Sequence, residues 1–138
     1  MSGRIVVHSL DQARAALAAA SSLKRRVVLA SGHGAGCYAG PAWFKSLIEQ
    51  AKSAYPGCQM DAVLDCGDAA GTALAALLMG LKRVGFSGCC TAQARLGEIA
   101  RALGAAVESG GGEDALDLRD GKNAAARCEA YLAGGRLA

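Results

Sequence analysis

A chain of 138 residues with a formal net charge of +3 is the size of one domain, and we expect residues 1–138 to form a single α/β unit with its own core. Hydrophobic residues at 52% and charged residues at 20% argue against a disordered chain, and 19 glycines without a Gly-x-y period argue against a collagen-like one. One Trp, three Tyr and two Phe, with the basic residues scattered, leave no stacking surface for nucleic acid, and the longest apolar stretch, Ala69 to Leu81, is too short to span a bilayer.

The predicted elements alternate. Arg4-Ile5-Val6-Val7-His8 reads as a strand, and Ser9 or Asp11 then caps a helix to about Ser22 with Ala13, Ala16, Leu17 and Ala20 on one face. A β-branched run, Arg26 to Ala30, forms a second strand and opens into the glycine-rich loop Ser31 to Gly40. Pro41 starts the next helix, because its missing N–H has no partner at a first helical position anyway. That helix buries Phe44, Leu47, Ile48 and Ala51 and stops before Pro56-Gly57. Asp61 to Asp65 is the third strand, and Asp68 is positioned to cap an apolar helix from Ala69 to Lys82. Arg83 to Ser87 is the fourth strand, followed by a helix over about Thr91 to Leu103 that Gly104 ends. A short fifth strand, Ala105 to Glu108, precedes the glycine run 110–112. The tail carries a turn at Leu116 to Arg119 and a last helix from a capping Asn123 to Leu132, with Cys128, Tyr131 and Leu132 docking inward and Arg127 outward.

Five βα units joined by short connections predict a mostly parallel five-stranded sheet with helices on both faces. At this size and strand count the chain resembles flavodoxin-like three-layer sandwiches, which implies the strand order 2-1-3-4-5 and no particular function. The alternative is a five-strand piece of a (β/α) barrel closed by a partner.

In parallel sheets ligands bind beyond the carboxyl ends of the strands, where loops and helix N-termini converge. There the order of elements delivers His8 and Ser9, then Ser31, Gly32, His33, Gly34, Gly36, Cys37 and Tyr38. Asp65, Cys66 and Asp68 follow, then Ser87, Gly88, Cys89 and Cys90. Polar residues of any βα protein gather at one edge or the other, which accounts for the serines and aspartates but less well for both histidines. The loop before Pro41 suits a small anion, through backbone N–H groups and a helix dipole. It formally fits G-x-G-x-x-A at Gly34, Gly36 and Ala39, but the strand-end acid Asp65 lies too far along for a dinucleotide site.

Cys89 and Arg95 have the Cys-x5-Arg spacing after a strand, which looks like the signature of cysteine-dependent phosphatases, without the glycine in the loop or the histidine before the cysteine. His33, Cys37, Cys66 and Cys89 or Cys90 form an N/S set that suits zinc only if three loops converge, and no ligand spacing supports that. No metal is therefore expected, and no cofactor is specified. With no signal segment and no spanning helix, the expected compartment is the cytoplasm, where the six cysteines are thiols.

The leading expectation is a small anionic ligand held by the Ser31 to Gly40 loop with Asp68, Ser87, Gly88 and Cys90. His33, Asp65 and Cys89 are the candidate catalytic groups, and whether the protein is an enzyme stays open. The competing expectation is a non-catalytic homo-oligomer built on the Ala- and Leu-rich helices. Neither nucleic acid nor membrane is an expected partner.

Overall fold

The Val- and Leu-rich runs become strands and the Ala-rich stretches helices in the computed structural model, which describes residues 3–109, 115–119 and 121–134. In chain order the elements are β1 (Gly3–Val6), α1 (Leu10–Leu23), β2 (Val27–Ala30), α2 (Ala35–Tyr38), α3 (Pro41–Ala54) and β3 (Met60–Asp65). There follow α4 (Ala70–Leu78), β4 (Arg83–Gly85), α5 (Cys90–Ala102), β5 (Ala106–Glu108), β6 (Leu116–Asp117) and α6 (Ala124–Leu132). The protein is α/β with one all-parallel sheet, compatible with a flavodoxin-like sandwich, but with six strands rather than five.

The strand order is β5-β4-β3-β2-β1-β6. This departs from the expected 2-1-3-4-5, which puts β1 between β2 and β3. Here β2 lies between β1 and β3, and the other edge of β1 is taken by β6, in the segment expected to be a plain turn. Two residues are too few to show alternation, so β6 has no periodic signal of its own; it is a strand because β1 offers unpaired backbone groups.

The chain divides into two compact units. The first contains Met1–Ala30, Ser46–Asp61 and Gly112–Ala138. In it β1 pairs with β2 in the register Ile5 to Leu29, and α1 turns Ala13, Ala16, Leu17, Ala19 and Ala20 inward. Ser9 caps α1, its Oγ accepting from the Gln12 N–H at 3.2 Å. Helix α6 packs on α1 through buried Cys128 and Leu132. Arg127 donates to the carbonyl of Asp117 at 3.1 Å in an exposed contact. Asn123 does not cap α6 with its side chain, because it adopts a left-handed backbone, φ 51°.

The second unit contains Ser31–Lys45 and Ala62–Gly111. Its core is Val63, Leu64 and Val84 from the sheet and Phe86 just after β4, with Ala73, Ala76, Leu77, Leu96 and Ala100 from α4 and α5. Strands β3 and β4 pair with Leu64 opposite Val84, and β4 and β5 with Val84 opposite Val107. Helix α4 is shorter than expected. Ala69, not Asp68, occupies its N-cap position without a side-chain bond, and the chain turns out at Gly80, φ 96°. Among the described residues no helix is long and apolar enough to cross a membrane.

Candidate functional site

Within the second unit, the loops that follow β2 and β3 are bound to each other, and one carboxylate does most of the binding. Asp65 ends β3, and its Oδ1 accepts two backbone N–H groups, from Gly67 at 2.8 Å and from Gly34 at 3.1 Å. Both donors sit on left-handed backbone, φ 57° and 69°, a conformation that glycine adopts without the steric cost of a Cβ. The Asp65 N–H donates to Ser31 Oγ at 2.8 Å, and that hydroxyl donates to the Gly32 carbonyl at 3.2 Å. Ser31 is buried and its hydroxyl is engaged both ways, so it braces the loop.

The other oxygen of Asp65, Oδ2, lies 3.6 Å from Nδ1 of His33. The Asp65 side chain is 15% exposed and that of His33 83% exposed, so the pair is an anchored carboxylate behind an imidazole in solvent. The separation is an ion-pair distance, longer than a well-formed hydrogen bond. With Nδ1 toward the carboxylate, Nε2 lies on the far side of the ring, away from Asp65.

The loop continues into the single turn α2, whose Gly36 lies hard against β3. A Cβ at Gly36 would stand 2.8 Å from Cys66 Sγ and 3.2 Å from the Asp65 carbonyl oxygen. Cys37 is exposed and its thiol donates to the carbonyl of Cys66 at 3.3 Å. Cys66 is fully buried, and its thiol is pushed up to about 12 by burial first, then by nearby Cys37 and by Asp65. Tyr38 is 72% exposed at the end of α2.

The structure thus brings Ser31, Gly32, His33, Gly34, Gly36, Cys37 and Asp65 together. Asp68 is exposed beyond Gly67. Ser87 joins the group through its backbone, its N–H donating to the Gly67 carbonyl at 2.8 Å. Gly88 packs against the ring of Phe86. Cys89 and Cys90 are exposed at the start of α5, and no hydrogen bond or ion pair among the described residues joins them to His33 or Asp65. Helix begins at Cys90, and the Gln93 N–H bonds the Cys89 carbonyl at 3.0 Å. The five residues before Arg95 therefore form helical turns, not a loop that wraps a phosphate. Among the described residues no three His, Cys, Asp or Glu side chains are grouped so as to hold a metal ion.

A second histidine–carboxylate pair was not foreseen. His8, two residues past β1, has its Nε2 2.7 Å from Oδ1 of Asp117, the last residue of β6. Gln12 reinforces it, accepting from the His8 N–H at 2.7 Å and donating to the Leu118 carbonyl at 2.6 Å. The available signal was His8 at a strand end; its partner lies 109 residues away in a strand too short to be read.

No known protein-family model matches the chain, and no curated protein matches it in sequence.

Proposed function

We propose that the loops after β2 and β3 bind a small anionic ligand of the phosphate type, with His33 as the group that exchanges a proton with it. The carrying observation is the anchoring of Asp65: two backbone N–H groups hold one oxygen, and the other faces His33 Nδ1. An imidazole so placed hydrogen-bonds a phosphate in either protonation state, donating when charged and accepting from a P–OH when neutral. The proposal places the protein in the cytoplasm, where thiols such as its six cysteines persist.

The test is an NMR titration with inorganic phosphate, following the His33 ring and the backbone amides of residues 31–40. Saturable shifts there that disappear in His33→Ala support the reading. Shifts that do not saturate, or that survive unchanged in His33→Ala, remove it. The second reading, a homo-oligomer without chemistry, is favoured by Leu78, 66% exposed on the uncharged helix α4. A dimer in native mass spectrometry that Leu78→Glu dissociates, with no response to phosphate, supports that one.

A further inference from the structure

We infer that Cys37 and Cys66 form a reversible dithiol–disulfide pair that is oxidised by small disulfides, with Cys37 as the attacking thiol and Cys66 as the resolving one. Two contacts carry this independently of any ligand. The Cys37 thiol reaches the carbonyl of Cys66 at 3.3 Å, and the Cys66 sulfur lies against Gly36, the residue next to Cys37. Cys37 is open to a reagent while Cys66 is sealed from it, which fixes the order of events. Of the other cysteines, Cys58 and Cys128 are buried and Cys89 and Cys90 are exposed at the start of α5, and among the described residues no hydrogen bond joins any of them to Cys37. A disulfide needs its Cβ atoms about 3.5–4.5 Å apart, so closure requires rotation of both side chains and adjustment of α2. That single turn has no side-chain cap to hold it in place.

In the first step the Cys37 thiolate attacks one sulfur of a small disulfide RSSR. The Cys37–S–S–R bond forms, the R–S–S–R bond breaks, and the departing RS⁻ takes up a proton. In the second, Cys66 gives its proton to solvent and attacks the Cys37 sulfur, expelling the other RS⁻, which is protonated in turn. Two protein thiols lose two electrons and one RSSR becomes two RSH. Burial of Cys66 keeps it protonated near neutrality, so the second step is the slow one.

The experiment treats the whole protein with oxidised glutathione, quenches with acid at intervals, and maps the linked peptides by mass spectrometry. The expected course is a glutathione adduct on Cys37 that converts to a Cys37–Cys66 link, about tenfold faster per pH unit between pH 7 and 9, and reverses with dithiothreitol. Cys66→Ala should hold the adduct on Cys37. In Cys37→Ser, a change at an exposed position, Cys66 should stay unmodified. An adduct on wild-type Cys37 that persists at pH 9, a link from Cys37 to another cysteine, or direct modification of Cys66 in Cys37→Ser overturns the inference.

Discussion

Asp65 takes part in three hydrogen bonds and faces an imidazole: two N–H groups on one oxygen, His33 opposite the other, and its own N–H on Ser31. Removing the carboxylate strands two loop donors in a half-buried setting. Asp65→Ala is therefore expected to lower stability by about 2 kcal/mol in urea denaturation. Asp65→Asn, which keeps an accepting oxygen, should cost less than half of that while still removing the negative charge that faces His33. At this scale the sequence located residues but not their roles. His33 and Asp65 were legible as strand-end residues of a parallel sheet. That the Ser31 hydroxyl faces inward, and that Gly34 lends its N–H to Asp65, depends on two loops meeting across 31 residues of chain, which no local pattern records.

Helix ends separate the legible from the illegible at the scale of elements. Ser9 caps α1 as its sequence position suggests, and Ser9→Ala should cost about 1 kcal/mol, measured as a shift of the urea midpoint at unchanged slope. Asp68 and Asn123 have equally suitable side chains, yet neither caps. The chain enters α4 one residue later than Asp68 requires, and Asn123 is in the left-handed region. Capping needs an extended backbone as well as an oxygen, and only the oxygen is written in the sequence. The long helices and the first four strands were read to within a few residues because each carries enough periodic positions. The four-residue α2 and the two-residue β6 carry too few.

For the whole molecule the buried thiols govern behaviour in alkali. Burial raises Cys66 to about 12, raises Cys128 to about 11 against the lowering effect of Arg127, and raises Cys58. Each folded-state value lies above the ordinary 9.0, so above that pH the folded chain binds more protons than the unfolded one. Stability is then full below about pH 9 and falls as pH rises toward 11–12. A series of melting temperatures from pH 8 to 11 checks this, and Cys66→Ala should flatten the decline. The parallel α/β class was also legible at this scale, from alternation alone. The strand order was not, because short crossovers of similar length fit several orders, and the edge of β1 was filled by a strand without a signature.

The pairing of Ile5 with Leu116 has a consequence in time. During synthesis β2, the inner neighbour of β1, emerges soon after it, but the outer neighbour is more than a hundred residues behind. At about 5–20 residues per second, the outer rim of β1 waits roughly 5 to 20 s for cover. For that interval the nascent chain presents an open row of N–H and C=O groups to any other strand nearby.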